Sequence, residues 1–453
     1  MHLIKTRRET VHNIGQNMKH LPDECVPAEP AAGLDKPPGS ANAHNHRLLQ
    51  ALQLAPNVHF SLVAPGENEN QDLTGSLLSG GADSSVAIWD LETLSSVPNG
   101  NVIHTPLEQT ARTSTTERLG ITQVSFYTFD SLAFLTSGYD RTLKLFSSET
   151  LVASAVFDLD STVHAHDTSN VATTHLLVAC ATQHPAVRLV DLKSGTSTHS
   201  LAGHSGSALS VAWHPKDENI LASGATDGTC RLWDVRRSAS SLGVLDMDDS
   251  IGVVGYDGKG LGSRRRERGK AHNGAVNGIA WSEDGQHLVT TGLDERMRVW
   301  NMQTGANTLA NFGPSLKNTH NTLTSPLLPP TMLSPARTIY YPNAGEILCF
   351  DMHSGRLLKR LRAPQRTPSA NRTVHNLNTR TTSLAWRAHN IEMYSGHADG
   401  TIRCWRPRTT EDIEADEEEA CHGDDIDGED GERKRKRNEL DQIVRDLTKK
   451  RAT

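Results

Sequence analysis

The sequence lacks the segments and cysteine pairs of membrane-embedded and disulfide-stapled secreted proteins. Its 453 residues contain no apolar run near the ~20 residues that a membrane-spanning helix needs. The first residues carry charges and amides where a secretory signal is apolar, so we expect the chain to stay inside the cell. The six cysteines form no C-x-x-C pair, which argues against a disulfide framework and a structural zinc site. Four of them follow strand-like patterns and are expected to be small buried hydrophobes: Cys180, Cys230, Cys349 and Cys404.

Catalytic and cofactor-binding motifs are also missing. No segment matches the nucleophile motif G-x-S-x-G, the phosphate loop G-x-x-x-x-G-K-[ST] or the zinc motif H-E-x-x-H. The 22 histidines are scattered, and the close pairs at 44 and 46 and at 164 and 166 offer too few ligands for a metal site. The sequence therefore predicts a protein that is not an enzyme and has no cofactor and no metal.

Charge is concentrated in the last part of the chain. Residues 411–453 hold 16 acidic and 9 basic residues, which is the whole net charge of −7, and the body before them is balanced. The run 411–432 is acidic, and blocks of like charge of this kind repel themselves and stay unfolded. The basic cluster that follows predicts a nuclear import signal, with a solubilising tail as the alternative. Its members are Arg433, Lys434, Arg435, Lys436 and Arg437. Beyond it, four apolar residues at helical spacing predict a short helix: Leu440, Ile443, Val444 and Leu447.

A short phrase returns seven times along the body of the chain. It consists of small residues, an acidic turn, alternating β-formers and an aromatic residue followed by Asp or a substitute. The shortest spacings between copies are 43 and 44 residues, near the ~40–45 residues of a four-stranded propeller blade. The sequence therefore predicts an all-β, seven-bladed β-propeller, with six or eight blades as alternatives. The aromatic residue or its replacement falls at Trp89, Phe146, Val190, Trp233, Trp300, Phe350 and Trp405.

These phrases resemble WD repeats, and two of them carry the full set of that family's signature residues. The resemblance implies that a His, a Ser or Thr, an Asp and a Trp form a buried hydrogen-bonded chain in each complete blade. Because the same constellation recurs at the blade period, we interpret it as structural and not as a catalytic triad. The two sets are His204, Ser223, Asp227 and Trp233, and His272, Thr290, Asp294 and Trp300.

Blade seven and the segment before blade six depart from the pattern. Blade seven keeps Ser395 and Trp405, but its upstream His375 lies two residues too far away for a clean match. Because the sequence turns acidic directly after Trp405, we expect the outer strand of this blade to come from the N-terminal side, before Ala43. Closure of this kind removes exposed sheet edges. The segment 319–338 is rich in Pro, Ser and Thr and predicts a loop.

The succession of phrases is similar to that of the Cockayne syndrome group A family. The similarity covers about residues 44–406 and includes VRLVDLKSG, WDVRR and AHNGAVNG, which lie outside the shared WD-repeat pattern. It implies a nuclear substrate receptor of a cullin-4 RING ubiquitin ligase that acts in transcription-coupled nucleotide excision repair. The implied partners are the damaged-DNA-binding adaptor and, through it, cullin-4 and the RING subunit. The Cockayne syndrome group B translocase and stalled RNA polymerase II are the implied substrates or partners.

The WDVR motif resembles the motif by which WD-repeat receptors dock on that adaptor. It makes Trp233, Asp234 and Arg236 candidate adaptor contacts, with Arg237 beside them and Asp227 upstream. An arginine just beyond a strand would project at a propeller face, where its planar fork can bind acceptors on a partner. The alternative is an ordinary solvated arginine.

The N-terminal segment is the second candidate for adaptor docking. The family docks partly through an N-terminal helical segment, and residues 1–20 share little sequence identity with that segment. They do carry an apolar stripe at helical spacing that could enter a hydrophobic groove: Ile4, Val11, Ile14 and Met18. The predicted organisation is a docking segment and closing strand at 1–43, the propeller at 44–410 and a disordered tail at 411–453.

Two other classes of function stay open. A nuclear WD-repeat scaffold for chromatin or RNA processing, without ligase activity, would explain the repeats and the basic cluster. A direct nucleic-acid binder would use the glycine- and arginine-rich insertion after Trp233, but the balanced charge of the body argues against it. The cations of that insertion are Arg264, Arg265, Arg266, Arg268 and Lys270.

Overall fold

A computed structural model describes most of the repeated body of the chain. The described residues are 48–49, 59–62, 76–91, 95–96, 102–103, 106–110, 119–130, 132–237, 241–247, 269–331, 337–362, 380–387, 391–398 and 400–406. All regular elements within them are β-strands, and no helix there has the length and apolarity of a membrane span. The strands lie in one compact unit that ends at Trp405, and of a second unit only Arg406 is described. The predicted N-terminal helix, import cluster and tail helix lie outside the described residues.

Seven antiparallel sheets follow one another along the chain and form the seven blades of a β-propeller. The predicted fold class and blade number are therefore confirmed. Each copy of the repeated phrase supplies the second and third strands of one blade, with the aromatic position near the end of the third strand. Small residues in the second strand let neighbouring blades approach closely, and β-branched and aromatic residues favour the extended backbone.

The strands are numbered in chain order and grouped by blade. Strand β1 (Leu48–Leu49) comes first, and blade one contains β2 (His59–Leu62), β3 (Ser76–Gly80), β4 (Val86–Asp90) and β7 (Pro106–Gln109). The strands β5 (Ser95–Ser96) and β6 (Val102–Ile103) form a separate two-stranded sheet. Blade two contains β8 (Ile121–Phe126), β9 (Ala133–Gly138), β10 (Thr142–Ser147) and β11 (Ala153–Asp158). Blade three contains β12 (Val163–Thr168), β13 (Leu177–Thr182), β14 (Val187–Asp191) and β15 (Thr196–Leu201).

The other four blades follow in the same order. Blade four contains β16 (Ala208–Trp213), β17 (Ile220–Ala225), β18 (Cys230–Asp234) and β19 (Ser241–Leu245). Blade five contains β20 (Val276–Trp281), β21 (His287–Gly292), β22 (Arg296–Asn301) and β23 (Ala306–Asn307). Blade six contains β24 (Thr338–Pro342), β25 (Glu346–Asp351) and β26 (Leu357–Arg362), and blade seven contains β27 (Thr381–Arg387), β28 (Glu392–His397) and β29 (Ile402–Trp405).

Blade seven is completed by a strand from the other end of the chain. Strand β1 pairs with β29, with Leu48 opposite Arg403 and Leu49 opposite Ile402. The outer strand therefore comes from the N-terminal side of the propeller, but it lies later in the sequence than the expected position before Ala43. The expected position was too early because the backbone that pairs with the edge of β29 belongs to residues 48 and 49.

Among the described residues, blade six has three strands where the others have four. The position of its first strand is taken by an isolated bridge, in which Leu327 and Tyr340 exchange two backbone hydrogen bonds of 2.8 and 2.9 Å. The segment 319–338, predicted to be a loop, is thus irregular in its described part but still fills a strand position. It is held from blade five, where the Thr324 amide donates to the Asn277 carbonyl at 3.0 Å.

The core lies between the faces of adjacent blades. Strand β17 is buried at every position, whereas the outer strand β11 alternates between buried or partly buried and exposed residues. Blade four packs Leu232 against Leu288 and Trp300 of blade five. Three of the predicted cysteines, Cys180, Cys230 and Cys349, are free and buried, and Cys404 is partly exposed because it lies near the outer edge.

Candidate partner-docking site

The signature residues of blade four form one hydrogen-bonded chain. Trp233 Nε1 donates to Ser223 Oγ at 2.7 Å, and Ser223 Oγ lies 2.7 Å from His204 Nε2. On the other side of the ring, His204 Nδ1 lies 2.7 Å from Thr229 Oγ1, which donates to Asp227 Oδ1 at 2.7 Å. Every bond of this chain is satisfied when His204 Nδ1 donates to Thr229 and His204 Nε2 accepts from Ser223. Thr229 therefore bridges His204 and Asp227, a role that the sequence pattern did not include.

Blade five repeats the chain without the bridging threonine. Trp300 Nε1 donates to Thr290 Oγ1 at 2.9 Å, and that oxygen lies 2.8 Å from His272 Nε2. His272 Nδ1 reaches Asp294 Oδ1 directly at 2.9 Å, and Arg298 donates to Asp294 Oδ2 at 3.0 Å. Burial raises the pKa of Asp294, but the bonds and charges of His272 and Arg298 outweigh it and hold the pKa below its ordinary value.

Blade seven obtains its histidine from an unexpected position. His397 Nε2 lies 2.9 Å from Ser395 Oγ, which also accepts a bond of 2.7 Å from Trp405 Nε1. His397 is the last residue of β28, only two residues after Ser395. The predicted candidate, His375, lies outside the described residues. The signal for His397 was present in the sequence as the histidine of the phrase SGHADG.

The hydroxyls in these chains are enclosed in the protein. Ser223 and Thr290 are fully buried, as is Ser395, so none of these oxygens can meet a substrate. Within the described ranges, no group of three or more His, Cys, Asp or Glu side chains could hold a metal ion. These side-chain sets therefore stabilise the fold, because they pair polar groups that would otherwise be buried without partners.

The arginines of the WDVR motif stand at the end of the third strand of blade four. Asp234 Oδ1 accepts bonds of 3.0 Å from the Arg236 amide and from Arg236 Nε, and Arg236 Nη2 donates to Asp234 Oδ2 at 3.0 Å. Arg237 Nε lies 3.7 Å from the same carboxylate. The arginine side chains are 63% and 60% exposed, whereas that of Asp234 is 5% exposed. A buried carboxylate thus fixes two exposed cations.

The electrostatics of this turn favour the charged form of each group. Burial raises the pKa of Asp234, but hydrogen bonds from Arg236 and the charges of Arg236 and Arg237 outweigh it, and the pKa is lowered. The hydrogen bond to Asp234 raises the pKa of Arg236. The positive charge of Arg236 is therefore permanent at any physiological pH.

The same turn recurs in three other blades. In each, an Asp or Asn at the end of the third strand accepts a bond from the amide two residues later: Asp191 from Lys193 at 3.0 Å, Asn301 from Gln303 at 2.9 Å and Asp351 from His353 at 3.2 Å. The fold therefore places a side chain at this point of several blades, and the residue type distinguishes blade four. Lys193 is the matched position in blade three.

The topology divides the predicted adaptor contacts between two faces. Because successive strands are antiparallel, the loops after the first and third strands of a blade lie on one face, which we call the Arg236 face. Asp227 lies in the turn between the second and third strands, at the opposite face, and its carboxylate is engaged by Thr229 and by the Ser205 amide.

Burial also limits which side chains of the WDVR motif a partner could reach. Trp233 is fully buried and Asp234 is covered by its arginines. The adaptor contacts predicted for Asp227, Trp233 and Asp234 stay a prediction, and in the structure these three side chains are largely enclosed. Arg236 and Arg237 are the members of the motif that can make contact. The stripe at Ile4, Val11, Ile14 and Met18 lies outside the described residues.

Exposed apolar side chains lie on the Arg236 face of the two preceding blades. Apolar residues that are exposed near charged ones are typical of protein-interaction surfaces. Four of them follow first or third strands of blades two and three: Phe129, Val152, Val171 and Leu176. This face therefore combines apolar area with the fixed arginines.

Comparisons with known proteins agree with this architecture. The WD domain, G-beta repeat family matches residues 195–234 and 265–301, which include most of blades four and five. The chain is similar to "WD repeat-containing protein ATCSA-1" of Arabidopsis thaliana, with 27% identity over 85% of this chain and 95% of that protein. Neither this family nor the relatives described here indicate a catalytic activity by name.

Two further relatives match a smaller part of the chain. "Radiation-sensitive protein 28" of Saccharomyces cerevisiae is 25% identical over 40% of this chain and 38% of its own length. "Ribosome biogenesis protein ytm1" of Aspergillus niger is 29% identical over 38% of this chain and 35% of its own length. The chain thus spans little more than a third of these two relatives. The chain is therefore a seven-bladed β-propeller that contains WD repeats, and the full hydrogen-bonded chain of these repeats is present in blades four and five.

Proposed function

We propose that this protein is the substrate-recognition subunit of a cullin-4 RING ubiquitin ligase that acts in transcription-coupled nucleotide excision repair. It docks on the damaged-DNA-binding adaptor and presents stalled-transcription repair factors, with the Cockayne syndrome group B translocase and stalled RNA polymerase II as substrates or partners. The cullin-4 and RING subunits carry out the ubiquitin transfer, and this chain positions the substrate for it.

The observation that carries the proposal is the geometry of Arg236. Asp234 binds the Nε and Nη2 groups of Arg236 and so fixes the guanidinium of a side chain that is 63% exposed. A pre-oriented arginine loses little side-chain entropy on binding, and arginines of this kind are frequent among the residues that dominate interface energies. Arg237 is the helper beside it, and the N-terminal stripe is a second docking element.

Two further observations support the proposal. The likeness to the Arabidopsis protein extends over nearly the whole of that protein and is not confined to two or three repeats. The basic cluster at 433–437 would import the chain into the nucleus, where transcription-coupled repair takes place.

A nuclear scaffold without ligase activity is the second candidate. The likeness to the Aspergillus protein, whose name refers to ribosome biogenesis, favours it, although that likeness covers 38% of this chain. In a scaffold, the exposure of Arg236 would have no connection with a ubiquitin ligase. Direct nucleic-acid binding is not favoured, because the charge of the chain before its tail is balanced.

The proposal is tested by reconstituting ubiquitin transfer. The adaptor, cullin-4 and its RING subunit are mixed with the group B translocase, with or without this chain, and ubiquitinated translocase is quantified. We expect transfer that depends on this chain and is reduced by Arg236→Ala. Equal transfer with and without the chain would contradict the ligase role and favour the scaffold.

A further inference from the structure

Within the residues that the structure describes, the outer edge of blade five is only partly paired. Strand β23 has two residues and pairs only with the end of β22, through Trp300 with Asn307 and Asn301 with Ala306. In blades two, three and four, the fourth strand has five or six residues. Within the described part of the chain, residues 296–298 of β22 therefore have a strand partner on their inner side only.

The backbone leaves this edge abruptly. The Thr308 amide still donates to the Val299 carbonyl at 2.8 Å, which shows that Val299 directs its carbonyl outward. Leu309 then adopts a left-handed conformation with φ of +58°, and the chain turns away. Because alternate residues of a strand repeat the same orientation, Met297 also presents its backbone groups at this edge.

A groove of about 280 Å³ lies where the missing part of the fourth strand would run. Its lining includes Met247 and Leu309, which is 57% exposed, and its floor is formed by the buried core residues Met297, Phe312 and Leu316. The volume is just below the ~300–1,000 Å³ of pockets for drug-sized ligands, and it lies along a strand edge. These dimensions fit the side chain of an extended peptide better than a separate small molecule.

The charged residues of the groove are cationic. Arg296 and Arg298 both line it, and Arg296 is exposed. Arg298, 16% exposed, uses Nη1 for Asp294 and His272, whereas its Nη2 faces the sulfur of Met247 at 3.7 Å. A thioether is a weak acceptor, so this guanidinium can take a stronger one. Asp294 offsets the charge of Arg298, and the exposed Arg296 gives the groove the net positive charge that favours an incoming carboxylate.

We propose that this groove binds an extended acidic segment of a partner protein by β-augmentation. The segment pairs its backbone with residues 296–298, places an apolar side chain beside Met247 and Leu309, and sets a carboxylate against Arg296 and Arg298. Strand addition of this kind takes its affinity from backbone hydrogen bonds and its specificity from alternate side chains. The inference goes beyond the ligase role and does not depend on it.

Binding of designed probes to the full-length chain tests the proposal. The probe is a fluorescent eight-residue peptide that alternates leucine or valine with aspartate, and its anisotropy is followed during titration. Two control peptides carry lysine in place of aspartate, or N-methyl groups on the amides that would pair with the strand edge. We expect saturable binding of the acidic probe and at least about tenfold weaker binding of both controls. Equal binding of the N-methylated peptide would overturn strand addition.

Protein variants locate the binding. Arg296→Glu reverses an exposed charge in the groove, and Lys193→Glu makes the same charge change at an exposed position of blade three. We expect Arg296→Glu to weaken the probe at least about tenfold and Lys193→Glu to leave it unchanged, with the same unfolding temperature in both variants. Equal effects of the two substitutions would show non-specific attraction and overturn the proposal.

Other occupants of the groove give different results. Residues 248–268 begin next to Met247, and if they fill the groove, the intact chain does not bind the probe whereas a chain with a short Gly-Ser linker in their place does. If a second copy fills it, sedimentation shows a dimer that Arg296→Glu dissociates. Either result, or the absence of binding in all these chains, would overturn a partner segment as the occupant.

Discussion

At the scale of single residues, one hydroxyl in each complete blade pairs two buried nitrogen groups. In blade five, Thr290 Oγ1 accepts from Trp300 Nε1 and lies within hydrogen-bond distance of His272 Nε2. All three side chains are fully buried, so water cannot replace a lost partner. The penalty for an unpaired buried polar group is about 1–3 kcal/mol, which exceeds the net gain from a typical hydrogen bond.

Removal of this hydroxyl should destabilise the protein more than removal of the neighbouring methyl group. Thr290→Val keeps the shape of the side chain but leaves Trp300 and His272 without their shared partner, and we expect a loss of about 2–3 kcal/mol. Thr290→Ser keeps the hydroxyl and should cost about 1 kcal/mol for the lost methyl. Urea unfolding of both variants measures the difference. A larger loss in Thr290→Ser than in Thr290→Val would contradict this account.

A second residue-scale feature is the buried histidine between blades two and three. His166 Nδ1 lies 2.8 Å from Ser137 Oγ, and its Nε2 lies 2.7 Å from Ser125 Oγ. Burial lowers the pKa of His166 to about 3. The folded protein therefore keeps this ring neutral at pH values where the unfolded chain takes up a proton.

The sign of the pH dependence follows from this difference. Below about pH 6.5 the unfolded state binds a proton that the folded state binds only near pH 3, so stability is lost as the pH falls through this range. Between pH 7 and pH 5 the loss from His166 is about 2 kcal/mol. Burial raises the pKa of Asp167 to about 7, which acts in the opposite direction, so the wild-type curve alone does not isolate the histidine.

Comparison with His166→Gln isolates it. Glutamine can hydrogen-bond but does not titrate, and the variant keeps Asp167. Between pH 7 and pH 5, the wild type should lose about 2 kcal/mol more of its unfolding free energy than the variant. Parallel pH curves for the two proteins would show that His166 is not buried as a neutral ring.

At the scale of strands and blades, closure of the ring depends on two residues. Strand β1 provides the only strand partner that the outer side of β29 has in the described chain. An open edge would also offer a template for association with other chains.

Truncation at two points tests the closure. Deletion of residues 1–43 keeps β1, whereas deletion of residues 1–50 removes it. We expect the longer deletion to lower the free energy of unfolding by at least about 1 kcal/mol relative to the shorter one, since the backbone hydrogen bonds of one strand pair are lost. Identical unfolding curves for the two truncated chains would show that β1 contributes nothing to the ring.

The strands that could be predicted from the sequence are those that carry the hydrogen-bonded signature residues of the WD repeats. The second and third strands were visible because Ser223, Asp227 and Trp233 must stand at fixed intervals for their side chains to meet. The outer strands carry no such constraint, and the two-residue strand β23 could not be anticipated. The bridge at Leu327 was hidden for the same reason, because a single pair of backbone bonds leaves no pattern in the side chains. In blade seven, Ser395 is reached from His397 of its own strand, so the usual upstream spacing was misleading.

At the scale of the whole molecule, the order of strands decides which residues a partner can reach. The sequence placed Asp227 and Arg236 in one motif, only nine residues apart, and nothing in their spacing showed that they lie at opposite faces. That separation follows from the antiparallel path of β18 between them. The exposed arginines could be predicted from the motif, whereas the apolar residues Phe129 and Val152 join their face only through the fold.

The most direct test of this account is a binding titration of the purified chain with the damaged-DNA-binding adaptor. Four proteins are compared: wild type, Arg236→Ala, the matched control Lys193→Ala and a chain without residues 1–20. Arg236→Ala should weaken binding by at least about 1–2 kcal/mol, Lys193→Ala should bind as the wild type does, and the truncated chain should also bind more weakly. No saturable binding of the folded wild type at micromolar concentrations, or equal losses at Arg236 and Lys193, would contradict the claim that blade four docks this protein on the ligase.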